Sequence, residues 1–238
     1  MAVATPPSLM MNIIELSNLT FYWPNQTEAT LDIPAYQQKQ GTKVFIKGPS
    51  GSGKSTLLSL LTGILAPTEG TVIINGTDIE QLTSNQRDRF RADNIGYIFQ
   101  QFNLLPYLSV IDNVILPYQF SSKKTLSKQE LINEAKRLLS ALQLPNSHFN
   151  KPITDLSIGQ QQRVAAARAF IGKPKLIIAD EPTSALDHET RFAFIQLLMK
   201  ECEESGASLL FVSHDPSLES LFDLSLDLRE LNKAGVIA

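Results

Sequence analysis

Nine residues, GPSGSGKST from Gly48 to Thr56, fit the spacing G-x-x-x-x-G-K-[ST] between an apolar segment and a helix-like one. The chemistry of such a run is anion binding. Gly48, Gly51 and Gly53, with Ser50 and Ser52 between them, let the backbone curl so that successive N–H groups point at one phosphate. The start of the following helix adds its partial positive charge. Lys54 is then placed to reach β- and γ-phosphates, and Ser55, followed by Thr56, to ligate Mg²⁺. A second stretch, KLIIADEPTSALD from Lys175 to Asp187, sets two carboxylates at the end of an apolar run. A phosphate–Mg²⁺ site needs one carboxylate in the metal shell and one base to polarise a water; Asp180 suits the first role and Glu181 the second.

A third stretch, LSIGQQQRVAAARAF from Leu156 to Phe170, places a serine and a glycine before three glutamines and an alanine-rich helix. The Ser157 hydroxyl and the open N–H groups of a helix start, with Gly159 and Gln160 beside them, form a second anion site. The glutamine run and Arg163 are expected to buttress it. Ile158 lies inside this turn, where a β-branched residue is a poor choice if φ must be positive. With Ser157 as N-cap, however, Ile158 takes the first helical position, φ is near −65°, and no glycine is required.

These residues need a scaffold. Strand-like segments run around residues 13–23 and 43–47, and TVIINGTDI is a hairpin turning at Asn75-Gly76. A helix is expected from Ser55. The runs IGYIF at Ile95, KLIIAD at Lys175 and SLLFVS at Ser208 are nearly all apolar, as strands covered on both faces must be. Strands spaced by helices imply a parallel α/β sheet. Between Gln101 and Leu156 the pattern turns helical. Ser127 and Glu130 form a capping box, and Leu131, Ala135, Leu138, Leu139 and Leu142 one apolar stripe, so a helical subdomain over about residues 101–156 is inserted in the sheet domain. Residues 1–11 are expected to be disordered and 12–238 to form a single domain.

The chain has 238 residues and a net charge of −3, which gives no reason to expect nucleic-acid binding. Its one cysteine, Cys202, excludes an internal disulfide and fits a reducing compartment. No signal peptide is expected, and the run LLSLLTGILAP from Leu57 is too short to span a bilayer, so membrane association would go through a partner.

The phosphate loop, LSIGQ, ADEPTSALD and FVSHD follow one another in an order that resembles the ATP-binding cassette (ABC) ATPases over roughly residues 12 to 225. The resemblance implies a P-loop NTPase (RecA-like) α/β core with an antiparallel β subdomain and an inserted helical subdomain. It implies ATP and Mg²⁺ as ligands and hydrolysis of ATP. LSIGQ corresponds to a signature motif usually written LSGGQ, which caps the γ-phosphate of ATP bound to a second subunit, so a homodimer sandwiching two nucleotides is expected. Gln100 resembles the loop glutamine that contacts Mg²⁺ and the attacking water, with Gln101 the second candidate. Residues 184–187 resemble the loop along the dimer seam. His214, after an apolar strand, resembles the histidine that touches the γ-phosphate. In LTFYWP, strand alternation puts Phe21 and Trp23 on one face, and Trp23 matches the adenine-stacking position; core packing is its alternative role.

FNLLPYLSVIDNVILP, residues 102–117, resembles the branch serving lipoprotein-releasing and macrolide-efflux transporters, although that branch often reads DEPTGNLD where this chain has DEPTSALD. There the neighbourhood receives a short helix from an integral membrane permease. Phe102, Leu104, Leu105, Tyr107 and Leu108 could line that groove or pack the helical subdomain. The expected function is an ATPase subunit on the cytoplasmic face of a membrane partner. The alternatives are a soluble cassette acting in translation or repair, and a regulator with weak turnover because of Ile158.

Overall fold

The computed structural model describes residues 11–184 and 186–234, the side chain of His188 excepted. The expected disorder of residues 1–11 concerns a segment that, Met11 apart, lies outside the described residues. Strands β1 (Asn12–Phe21) and β2 (Leu31–Lys39) pair antiparallel, and β3 (Lys43–Lys47) runs into the phosphate loop and helix α1 (Lys54–Leu61). β4 (Glu69–Ile74) and β5 (Thr77–Asp78) form the expected hairpin. Asn75 and Gly76 both have positive φ, 48° and 73°, as the turn between such strands demands. α2 (Ser84–Asn94) leads to β6 (Ile95–Ile98); α3 (Val110–Ile115), α4 (Lys128–Ala141) and α5 (Ile158–Phe170) follow. Then come β7 (Leu176–Asp180), α6 (His188–Ser205), β8 (Ser208–Val212), β9 (Leu224–Asp227) and α7 (Leu228–Leu231).

The described strands form two sheets: an antiparallel one ordered β2-β1-β4-β5, and an all-parallel one ordered β6-β7-β8-β3-β9. The apolar runs reflect burial on both faces of the parallel sheet. Phe45, Ile177, Leu209 and Phe211 face one core with α3, α4, α5 and α6. Val44, Ile46, Ile178, Leu210 and Val212 face the other, shared with α1 and the antiparallel sheet.

The helical segment begins as its sequence demands. Ser127 accepts from the Glu130 N–H and Glu130 Oε2 accepts from the Ser127 N–H at 2.8 Å, and all five stripe residues are buried. Those residues join the same apolar cluster as one face of the parallel sheet, so the insertion extends that core. Arg137 of α4 also pairs with the nearly inaccessible Glu201 of α6 at 2.7 Å, tying the insertion to the sheet domain.

This topology decides where chemistry can happen. β6, β7, β8 and β3 are consecutive neighbours, all parallel, so the segments leaving their carboxyl ends emerge side by side. A crevice at the carboxyl ends of such strands is the usual binding place in open α/β sheets.

Candidate active site

The phosphate loop leaves β3 with backbone that only glycine supplies cheaply. Gly51 and Gly53 have φ of 81° and 93°. A Cβ on Gly53 would stand 2.7 Å from Leu31 Cδ2, and one on Gly48 would stand 2.6 Å from Ser52 Oγ. Gly53 is the N-cap of α1 and provides no side-chain cap, so the first N–H groups of that helix remain free to meet an anion. Lys54 Nζ arches over the loop, donating to the Gly48 and Pro49 carbonyls at 2.7 and 2.9 Å, and lies 3.8 Å from Glu181 Oε1.

Asp180 is the last residue of β7 and Glu181 the first beyond it. Burial pushes the Asp180 carboxyl above its usual range and the Glu181 charge adds to this; a 3.4 Å hydrogen bond from the Tyr97 hydroxyl and the Lys54 charge work against it. The Tyr97 phenol is itself pushed up, by burial and then by Asp180. Glu181 adopts φ 44° while its N–H donates to the Val212 carbonyl at 2.9 Å. Left-handed backbone at a non-glycine residue costs on the order of 1–3 kcal/mol and is kept where surrounding structure enforces it. Here the conformation turns the carboxylate out of the strand toward Lys54 and His214, whose Nδ1 lies 3.2 Å from Glu181 Oε2. The turn after His214 is held by the ion pair of Asp215 with Arg191, which also donates to the Leu186 carbonyl at 3.0 Å.

Gln100 leaves the end of β6. Trp23, two residues past β1, meets Phe21 edge-on at 5.1 Å between ring centroids, confirming that the two share a face. Trp23, Ser50, Gly51, Gly53, Lys54, Ser55, Thr56, Gln100, Asp180, Glu181 and His214 all line one cleft of about 750 Å³. That volume is within the usual range for small-molecule sites. Gln101 is not among the lining residues, and neither are Gly48, which is buried beneath the loop, or Ser52. Thr30 lines the cleft and Tyr97 supports Asp180; neither belongs to a recognisable motif.

The serine–glutamine stretch stands apart from this cleft: Ser157, Gly159 and Gln160 do not line it. Ser157 is the N-cap of α5, accepting from the Gln160 N–H at 3.3 Å, while Gln160 Oε1 accepts from the Ser157 N–H at 3.0 Å. Ile158 is the first helical residue, is absent from the positive-φ residues and is 54% exposed. Gln161 donates to the Leu156 carbonyl and Gln162 to the Pro182 carbonyl, so the glutamines do buttress the loop. Arg163 does not. Its guanidinium donates to the Leu142 and Gln143 carbonyls, at the end of α4, because its position on α5 faces that helix. The seam loop contains Ala185, which lies outside the described residues.

In the segment after Gln100, the structure takes the packing alternative for most of the residues. Phe102 is buried, Leu104 packs on the helical core, and Leu105 and Leu108 are half-buried; Tyr107 alone of the five is largely exposed. Asn113, fully buried, holds the segment down by hydrogen bonds to Leu105, Leu108 and Ser109. The apolar groove lies beside it, about 480 Å³, with Ile64, Tyr97, Phe99, Leu116, Pro117 and Phe120 among its walls. Ile64 and Phe120 expose about two thirds of their surface there. Among the described residues no helix is long and apolar enough to cross a membrane.

Comparison with known proteins agrees with this geometry. Residues 31–184 match the family described as ABC transporter. The chain is 44% identical over 177 residues to an uncharacterized ABC transporter ATP-binding protein of Methanocaldococcus jannaschii, MJ0796, covering 74% of this chain and 75% of that one. It is 38% identical over 191 residues to the lipoprotein-releasing system ATP-binding protein LolD of Shewanella denitrificans, covering 80% of each. Its structure superposes on one chain of the dimeric MJ0796 cassette in a post-hydrolysis state bound to ADP and Pi, with a TM-score of 0.81 and 37% identity over 90% of this chain and 93% of that one. By motif order, strand topology and these likenesses, the chain belongs to the ABC transporter family, as one of its ATP-binding, ATP-hydrolysing cassettes.

Proposed function

We propose that two copies of this chain bind two MgATP between them, each copy supplying one cleft and closing the other, and that the resulting cycle drives an integral membrane permease docked in the apolar groove. The observation that carries this reading is a separation. Eleven of the candidate site residues converge on one cleft, while Ser157, Gly159 and Gln160 form a capped helix start on other surface. Gly159 has nothing closer than 3.8 Å to a built Cβ, so no close contact within the chain calls for glycine there. A phosphate in the cleft of one copy, met by the Ser157 hydroxyl and the α5 N–H groups of the other, would use both halves.

Within the cleft, the loop N–H groups and Lys54 bind the phosphates, and Trp23 stacks on adenine, a contact worth about 1–3 kcal/mol. The donors near the phosphates, Ser55, Gln100 and Asp180, offer oxygen, which suits a hard cation. Mg²⁺ is bound in such sites by one or two protein oxygens together with substrate phosphates. When bound, Mg²⁺ neutralises charge on those phosphates. Glu181 accepts the proton of the attacking water, Gln100 positions that water, and His214 orients the Glu181 carboxylate while its exposed ring faces the γ-phosphate.

The groove, with exposed Ile64 and Phe120, suits an amphipathic helix of the permease. It supports a membrane partner over a soluble role, and with that partner a position on the cytoplasmic face of the membrane is part of the proposal. No nucleic acid enters this reading. The test is Glu181→Gln, which keeps shape and removes the base. Turnover is expected to fall by about 10²–10⁴ while ATP binding survives and an ATP-dependent dimer appears in size-exclusion chromatography. Hydrolysis near the wild-type rate would overturn the assignment.

A further inference from the structure

We infer that Arg168 is a positioning residue for hydrolysis: it locks the turn that follows Gln100, and so sets where that side chain enters the cleft. The inference rests on the role given to Gln100 above. Arg168 lies near the end of α5, is 9% exposed, and donates from Nη1 to the Asn103 carbonyl at 2.7 Å and from Nη2 to the Phe102 carbonyl. Phe102 and Asn103 both have left-handed backbone, φ 58° and 48°. Two consecutive non-glycine residues in that region are unusual, and the aromatic Phe102 in particular is strained there, so something must hold them. A planar guanidinium spans two adjacent carbonyls with a separate nitrogen on each, in one fixed plane. Among the described residues no carboxylate pairs with Arg168, so these carbonyls are the partners that justify burying its charge.

The consequence falls on Gln100. Upstream, Ile98 is fixed by pairing with Ala179 in the parallel sheet. Downstream, the Arg168 fork clamps residues 102–103 and Asn113 clamps 105–109. Gln100 and Gln101 are the short exposed span between these anchors, closed as a turn by the Phe102 N–H donating to the Phe99 carbonyl at 3.0 Å and the Asn103 N–H to the Gln101 carbonyl at 2.6 Å. Arg168 also lines the apolar groove, and its helix begins at the Ser157 cap. One rigid element therefore touches the groove, the glutamine loop and the surface that meets a second copy.

Loss of the fork lets the loop drift. A displacement of about 1 Å at a water-positioning group costs about 10²-fold in rate. Arg168→Met is expected to lower kcat by that order with KM for ATP within about threefold, because Lys54, the loop N–H groups, Ser55 and Asp180 still hold MgATP when Gln100 drifts. Arg168→Lys, keeping the charge and one donor, is expected to fall between Met and wild type, and replaces Met in the cycle if the Met chain does not fold. The deciding measurement is a double-mutant cycle with Gln100→Ala. A double variant no slower than Gln100→Ala alone supports the inference, since a clamp acting through Gln100 has nothing left to position. Losses that multiply, or a raised KM with unchanged kcat, overturn it and leave the role of Gln100 standing. A Gln100→Ala single variant at the wild-type rate overturns that role, and the inference with it.

Discussion

Replacing Ile158 by glycine isolates the departure of this chain from LSGGQ, and the structure says how large the effect is. Ile158 is the first residue of α5, has ordinary φ and is 54% exposed. Glycine therefore relieves no backbone strain there. It adds chain entropy to the unfolded state, up to about 1 kcal/mol, which for a chain of this size lowers Tm by roughly 2–4 °C. The capping box survives, because its bonds run between Ser157 and Gln160 and bypass the Ile158 side chain. In the dimer only bulk beside the partner's nucleotide changes, worth about 1 kcal/mol if neighbours adjust. Steady-state ATPase of Ile158→Gly is thus expected within about tenfold of wild type, since 1.4 kcal/mol is one decade. Thermal melting and ATPase assays on both proteins check the two numbers together. A wild type that binds ATP without hydrolysing it, rescued a hundredfold by glycine, or about 2.7 kcal/mol, would refute the reasoning and show the isoleucine disabling the site.

Two further perturbations probe the groove and the buried carboxylate. Phe120→Asp and Ile64→Asp change exposed side chains, so stability should move by no more than about 0.5 kcal/mol; basal ATPase should persist and co-purification with a membrane subunit should be lost, which a pull-down from detergent-solubilised membranes checks. The folded pKa of Asp180 is raised, so its charged form costs stability above that pKa, and the cost fades as pH falls through it toward the unfolded value. Nucleotide-free Asp180→Asn in chelator should therefore melt above wild type at pH 7.5, with the gap narrowing at pH 4.5; an equal gap at both would contradict the burial argument.

Much of the site is legible in short spans of sequence. The phosphate loop, the Asp180–Glu181 pair and the Ser157 cap are each set by neighbours within a few residues, and helix caps, αL glycines and apolar strands obey local rules. Gln100 and His214, two residues beyond β6 and β8, are legible through the family resemblance, and His214 also through the apolar strand before it. The strand β2 is not, because Pro34 breaks its pattern; the structure accommodates it on a sheet edge, in a register where Ile33 and Ala35 pair and Pro34 does not. Thr30, just before that strand, was invisible for the same reason.

Other features depend on which helix a side chain meets across the core, and sequence spacing is silent on that. Arg163 turns to the end of α4, and the groove forms from Ile64, Phe99 and Phe120 on separate elements, while Phe102 goes inside. Even the site itself is assembled this way. The chain order of β3, β6, β7 and β8 does not say that they lie as β6-β7-β8-β3. Residues within a few positions of one another share geometry through the covalent chain, so the sequence by itself determined which groups could bind phosphate, metal and water. Groups a hundred residues apart meet only because the two faces of the parallel sheet must both be buried, and that packing alone decided that those groups surround one cleft.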